Sequence, residues 1–110
     1  VQYYGSDQQV RKMIDMIHRN YAQPLKLETL AELLNYNPSY LGKLFKSTTG
    51  EPFNTYLDKV RIEKAKELLA QGMKVYEVAE QVGYANADYF HGKFRKYVGE
   101  SPTAYRKKDL

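Results

Sequence analysis

Two sets of mostly polar residues, 49 positions apart, include side chains that could contact the edges of base pairs. The matching positions are Ser39, Gly42, Lys43 and Lys46 in the first set and Asp88, His91, Gly92 and Arg95 in the second. Lys43 could donate to guanine O6 and N7, and Asp88 could accept from cytosine N4. Ser39 and His91 could contact several kinds of base edge. This is the chemistry of reading sequence in the major groove of double-stranded DNA.

Cations further along the two sets are better placed for phosphates than for bases. Lys46, Arg95 and Lys96 would hold DNA without choosing its sequence. Helix N-termini also attract phosphates, and Asn37, Tyr40 and Asn86 lie where the same two segments should begin as helices. We therefore expect all six residues to contact the DNA backbone.

Both sets belong to a repeated unit. The segment LETLAELLNY (27–36) reappears as VYEVAEQVGY (75–84), and YLGKLFK (40–46) reappears as YFHGKFR (89–95). Each copy has a short apolar stripe at helical spacing, a turn, and a second stripe. Asn35 and Gly83 suit the turns, while Asn37-Pro38 and Asn86 suit the beginning of the second helix. The pattern predicts two helix-turn-helix units, in each of which the second helix enters a groove.

The other predicted elements are helices as well. The capping-box spacing of Ser6 and Gln9 predicts a first helix from about Asp7 to Asn20, with residues 1–5 ahead of it. Pro52 should open a long helix that ends near Gly72, and Ser101-Pro102 a short last one. No segment alternates as a strand would, so the sequence predicts an all-α fold.

The long helix has an apolar stripe that changes face halfway along. At about 100° per residue, one cluster holds Phe53, Tyr56, Leu57 and Val60, and another holds Ile62, Ala65, Leu68 and Leu69. A helix that served one core would keep one stripe. The helix is therefore predicted to serve two cores and to act as a linker that fixes the two units relative to each other.

Composition narrows the function further. A chain of 110 residues forms one domain or two small subdomains with a shared core, and its net charge of +4 favours polyanionic partners. Cysteine is absent, which excludes disulfides and thiol chemistry. No apolar run is long enough to span a membrane, and the beginning lacks the pattern of a signal peptide. The lack of an initiator Met suggests a fragment of a longer protein.

Signals for other functions are weak. His18 and His91 lie far apart without a ligand cluster, and no phosphate loop or nucleophile motif occurs, so neither a metal, a cofactor nor an enzyme is expected. The tyrosines could stack on single-stranded bases, but most fall on apolar stripes and suit the core. Three interpretations of the outward faces stay open. They could be solvated faces of a helical bundle, faces that bind a protein partner, or faces that bind DNA.

The chain closely resembles the AraC/XylS-type DNA-binding domain of bacterial transcription regulators, and the signature lies in the second unit. The resemblance runs from about Val10 to Lys107 and rests on AEQVGY (79–84), YF (89–90), FRK (94–96), Gly99, SP (101–102) and YR (105–106). It implies a seven-helix domain over 1–110, with helix-turn-helix units at about 27–49 and 75–98 and a linker helix at about 53–71. Helices three and six would then enter successive major grooves.

Carried over by position, the resemblance assigns base reading to Ser39, Gly42, Lys43, Ala87, Asp88, His91 and Gly92. Gly42 and Gly92 depart from the family pattern, in which longer or polar side chains are usual. A glycine there either lets the helix approach the groove closely or reads nothing. Because the outward faces of the two units differ, the DNA site is expected to be asymmetric.

The resemblance also implies the setting of the domain. Such domains usually form the C-terminal part of a cytoplasmic bacterial regulator, beside a ligand-binding or receiver domain. The segment SYLGKLFKSTTGEPFNTYL (39–57) is most similar to two-component response regulators. The implied partners are promoter DNA and RNA polymerase, and the implied effect is activation.

Overall fold

The computed structural model describes residues 2–109, and the side chains of residues 8–108. Over that part of the chain it contains seven α-helices and no strand. In chain order the helices are α1 (Gln2–Asn20), α2 (Leu27–Leu34), α3 (Pro38–Thr49), α4 (Phe53–Ala70), α5 (Val75–Gln81), α6 (Ala87–Val98) and α7 (Pro102–Asp109). The predictions of an all-α fold and of seven helices are confirmed. The helices form two compact units that divide between Leu57 and Asp58.

The predicted beginning of α1 was wrong. The helix begins at Gln2 and not near Asp7, so Ser6 and Asp7 lie inside it and cannot form its N-terminal cap. No proline interrupts residues 2–7, and the single Gly5 costs a helix only about 1 kcal/mol relative to alanine. Polar residues at capping-box spacing therefore did not stop the helix from extending toward the N-terminus.

The first unit packs α1 and α2 against α3. Val10, Met13 and Ile17 of α1 are fully buried, as are Leu41 and Phe45 of α3. The Phe45 ring makes edge contacts with the rings of Phe53 and Tyr56, at centroid distances of 5.7 and 5.4 Å. These contacts hold the inner face of α3, so the opposite face is directed to solvent.

The second unit has an aromatic core beneath α6. Phe90 and Phe94 are fully buried, with their ring centroids 5.8 Å apart. Phe94 also contacts the ring of Tyr105 on α7 at 5.6 Å, and Phe90 contacts that of Tyr84 at 5.6 Å. The inner face of α6 is thereby fixed from both sides.

The two helix-turn-helix turns close with the same hydrogen bond. The Tyr36 amide donates to the Ala31 carbonyl at 2.8 Å, and the Tyr84 amide donates to the Ala79 carbonyl at 2.9 Å. The residue before each tyrosine has a positive φ, 65° at Asn35 and 104° at Gly83. Only glycine and, less readily, asparagine adopt that conformation at low cost. The predicted roles of both turn residues are confirmed.

The change of face in α4 is visible in its burial. Phe53 and Leu57 are buried in the first unit, with Tyr56 half-buried. Val60, which the sequence grouped with them, is half-buried and falls in the second unit. Ile62, Ala65, Leu68 and Leu69 are buried in the second unit. One continuous helix thus contributes an apolar face to each unit in turn.

Replacing the turn glycine should destabilise the chain. Gly83→Ala would place a side chain at φ 104°, and we expect the free energy of unfolding to fall by about 1–2 kcal/mol. Gly92→Ala is the matched control, because an added Cβ at Gly92 meets nothing within 4 Å. It should raise the free energy of unfolding by about 1 kcal/mol. Urea unfolding followed by circular dichroism measures both, and equal effects would contradict the assignment.

Candidate nucleic-acid interface

The two outward-facing helices α3 and α6 begin with the same device. The Asn37 Oδ1 accepts hydrogen bonds from the amides of Ser39 at 2.9 Å and Tyr40 at 3.3 Å. The Asn86 Oδ1 accepts from the amide of Tyr89 at 3.0 Å. Both asparagines are the N-caps that the sequence predicts, and both are exposed. The cap therefore fixes the first turn of each helix, and it does so at an exposed end of the helix.

The outer face of α3 is polar and basic. Ser39, Lys43 and Lys46 are all exposed on one side of the helix, and Leu41 and Phe45 are buried on the other. On a helical wheel Lys43 lies about 180° from the mean direction of Leu41 and Phe45. Tyr40 flanks this face; it is half exposed, and its ring stacks on that of Tyr36 at 5.8 Å.

Gly42 is placed differently from its neighbours. A Cβ added there would lie 3.1 Å from the Cδ2 of Leu27, at the beginning of α2. The glycine is half-buried beside an open cavity of about 450 Å³ that Leu27, Lys46 and Phe53 also line. Gly42 therefore allows α2 to pack closely on α3, which is a structural reason for a residue without a side chain.

The outer face of α6 is mixed in charge. Ala87, Asp88, Gly92, Arg95 and Lys96 are exposed, whereas His91 is half-buried with its ring edge-on to Phe90 at 6.2 Å. Asp88 lies in the first turn and Arg95 and Lys96 in the last, an arrangement that the helix dipole favours at both ends. The structure thus brings Asp88, Gly92, Arg95 and Lys96 to the outer half of α6, with His91 at its margin. Ala87 is exposed as the first residue of the helix, but it lies on the side of the buried phenylalanines.

A buried polar cluster that the sequence reasoning missed holds α6 in place. The Asp58 Oδ1 accepts a hydrogen bond from the Tyr84 hydroxyl at 2.7 Å, and its Oδ2 pairs with the Lys93 ammonium at 3.1 Å. The Arg61 guanidinium lies over the Tyr84 ring at 5.2 Å. Asp58 and Arg61 are the buried charged residues of the described chain, and both lie on α4.

The cluster keeps its groups in the protonation states that it needs. Burial raises the pKa of the Tyr84 phenol, and the hydrogen bond to Asp58 and its negative charge raise it further. Partial burial lowers the pKa of Lys93, but the hydrogen bond to Asp58 and its charge outweigh that effect and raise it overall. Tyr84 therefore remains a donor and Lys93 a cation.

One signal in the sequence could have revealed this cluster. Lys93 matches Leu44 of the first unit at the repeat offset, so a lysine stands where the other copy has an apolar residue next to its core. A lysine in that place needs a buried acidic partner. Asp58 supplies it from the apolar surroundings of α4.

A second arginine secures the turn between α4 and α5. The Arg106 Nε donates to the Met73 carbonyl at 3.0 Å, and its Nη2 donates to the Gly72 carbonyl at 2.7 Å. This half-buried side chain joins α7 to the end of α4. It has a structural role, which agrees with its place inside the signature YR (105–106).

The described residues contain neither a candidate metal site nor a candidate membrane-spanning helix. Between Gln8 and Lys108 no group of three or more His, Cys, Asp or Glu side chains is arranged to hold a metal ion. None of the seven described helices is both long enough and apolar enough to cross a membrane.

The chain matches known DNA-binding proteins along most of its length. Residues 30–108 match the family described as helix-turn-helix domain. The transcriptional regulatory protein YesN of Bacillus subtilis, itself uncharacterized, is 40% identical over 104 residues, which is 90% of this chain but 28% of that protein. The chain therefore spans under a third of this relative.

Solved structures agree with the sequence match. The C-terminal domain of AraT, a response regulator from Geobacillus stearothermophilus, is 40% identical, with a TM-score of 0.88 over 91% of this chain and 84% of that one. The DNA-binding domain of AdpA, solved in complex with a target DNA, is 27% identical, with a TM-score of 0.85 over 90% of each chain.

Two capped helices with polar outer faces, each backed by a helix-turn-helix frame, define a DNA-binding domain of a transcription regulator. The chain belongs to the AraC-type helix-turn-helix family. The resemblance inferred from the sequence is confirmed.

Removing the buried carboxylate should destabilise the chain. Asp58→Ala leaves the Lys93 ammonium and the Tyr84 hydroxyl without their acceptor, and we expect the free energy of unfolding to fall by about 2–3 kcal/mol. Asp15→Ala is the control, since its pair with Arg19 at 3.2 Å is exposed and worth less than about 1 kcal/mol. Denaturant unfolding compares them, and equal losses would show that the buried cluster does not stabilise the fold.

Proposed function

We propose that this chain is the C-terminal, DNA-reading part of a cytoplasmic bacterial response regulator that activates transcription. The helix-turn-helix units (27–49 and 75–98) would be joined by the linker helix (53–71), and α3 and α6 would enter successive major grooves about 34 Å apart. The observation that carries this proposal is the pair of asparagine-capped helices with exposed polar faces. The 40% identity to a domain of a response regulator supports the wider setting.

Base reading is assigned to the outer faces. Lys43 would donate to guanine and Asp88 would accept from cytosine or adenine, with Ser39 and His91 beside them. Ala87, Gly42 and Gly92 would contribute only small or backbone surface. Because Lys43 is matched by Gly92 in the other unit, the two half-sites would differ in sequence.

Phosphate contacts are assigned to the helix beginnings and to exposed cations. Asn37, Tyr40 and Asn86 flank the first turns of the two helices, and Lys46, Arg95 and Lys96 follow along them. The asparagine Oδ1 atoms already accept from helix amides. A phosphate would therefore meet their amide NH₂ groups.

A further domain of the full-length protein would regulate this DNA-binding domain. A receiver or ligand-binding domain would precede this chain, and RNA polymerase would be the partner at the promoter. The rival function is a helical protein-interaction module that uses the same faces. It requires the outer lysines and arginines to matter for a protein partner and not for DNA.

Salt titration of DNA binding tests the proposed function. We expect the logarithm of affinity to fall linearly with that of salt, and Lys46→Ala and Arg95→Ala each to reduce the slope by about 1. Lys43→Ala should cost about 1–3 kcal/mol and relax the preference at one base pair. Lys66→Ala is the control, since Lys66 pairs with Glu63 on α4. Fluorescence anisotropy on DNA selected from a random pool provides the readout. Binding that ignored salt and all three substitutions would favour the rival.

The cap residues allow capping to be separated from phosphate binding. Asn86→Asp keeps an oxygen acceptor for the Tyr89 amide, and aspartate caps as well as asparagine, so the stability should be retained. The new carboxylate would repel a phosphate, so DNA affinity should fall about tenfold, equivalent to about 1.4 kcal/mol. Gln8→Glu is the matched control, because it adds the same charge at an exposed position of α1. If both variants bind DNA equally well, Asn86 does not lie at the backbone.

A further inference from the structure

The outermost position of α6 carries no side chain. On a helical wheel Gly92 lies about 180° from the mean direction of the buried Phe90 and Phe94. Lys43 occupies the same outermost position on α3. A Cβ added at Gly92 meets nothing within 4 Å, so the glycine is not required for packing within the unit. This differs from Gly42, whose missing side chain makes room for Leu27.

A shallow notch lies over Gly92. It is lined by Asp88, Tyr89, Lys93 and Lys96. The Tyr89 side chain is 56% exposed and forms one wall. The Lys93 ammonium is drawn away to Asp58 at 3.1 Å, and it lies over the Tyr89 ring at 5.3 Å. The Lys96 ammonium is directed to the Tyr97 ring at 5.4 Å.

The positions of the two ammonium groups decide the character of the notch. With both charges held elsewhere, the lysine methylenes and the tyrosine ring form its walls, and these are apolar. Asp88, one helical turn before Gly92, places an acceptor at one end. The notch therefore suits a small apolar group that lies next to a hydrogen-bond donor.

The major groove offers one such apolar group, the C5 methyl of thymine, and its donors are the exocyclic amines of adenine and cytosine. Resting on the proposed function, we propose that the notch over Gly92 receives a thymine methyl and that Asp88 accepts from the amine of the same or the adjacent base pair. Gly92 then determines specificity because its missing side chain leaves the notch open to the methyl group. The first unit would contact a base through the Lys43 side chain, whereas the second would receive a methyl group in the notch over Gly92.

Replacing thymine by deoxyuridine removes the methyl and keeps every hydrogen-bonding group. On the DNA that the chain selects from a random pool, one such replacement in the second half-site should weaken binding about fourfold, the value of one buried carbon. Gly92→Lys fills the notch and copies Lys43. It should abolish the effect of the replacement and move the preference at that base pair toward guanine.

Lys43→Ala is the matched variant in the first unit, and it should leave the fourfold effect of deoxyuridine unchanged. The proposal is overturned if no single replacement weakens binding by the wild-type chain. It is also overturned if Gly92→Lys retains the effect, because the methyl would then act elsewhere. Failure of the proposed function looks different: the chain would select no sequence and its affinity would ignore salt.

Discussion

The carboxylate of Asp58 is the point at which three parts of the second unit are joined. Its two oxygens take the Tyr84 hydroxyl from the turn after α5 and the Lys93 ammonium from α6, while Asp58 itself belongs to α4. A buried carboxylate is costly unless it is paired and hydrogen-bonded, and here both conditions are met. Together with the aromatic contacts of Phe90 and Phe94, this contact fixes α6 and hence the residues on its outer face. Even the apolar notch over Gly92 exists because Asp58 draws the Lys93 charge inward.

The two units have the same turn geometry but differ in how their second helix is held. Both close their turns with an amide hydrogen bond at a tyrosine, and both place a second tyrosine beside the first. The first unit then uses Leu44 where the second uses the Lys93–Asp58 pair. Leu44 can offer only apolar contact, whereas the Lys93 ammonium makes a charge-assisted contact with Asp58. The repeat therefore keeps the same frame in both units and varies the interactions of its second helix, α3 or α6.

Features that follow from local rules could be predicted from the sequence. The caps at Asn37 and Asn86, the left-handed Asn35 and the change of face in α4 each depend on residue type and spacing. The beginning of α1 could not be predicted, because a polar segment without proline can extend a helix past a capping signal. The contact between Leu27 and the Gly42 position depends on how two helices cross. The Asp58 cluster depends on contacts across 26 and 35 residues, and periodicity carries no information about them.

The contrast between the two glycines bears on how such a domain can acquire new targets. Position 42 is tight: a side chain there requires the end of the Leu27 side chain to shift by a few tenths of an ångström. Position 92 is open and lies at the centre of the outer face, so a Cβ can be added there without meeting the packing of the unit. Of these two glycines, the one at position 42 is thus tied to the packing of its unit and the one at position 92 is not. A substitution at position 92 therefore changes the outer face of α6 while the packing beneath that helix is retained.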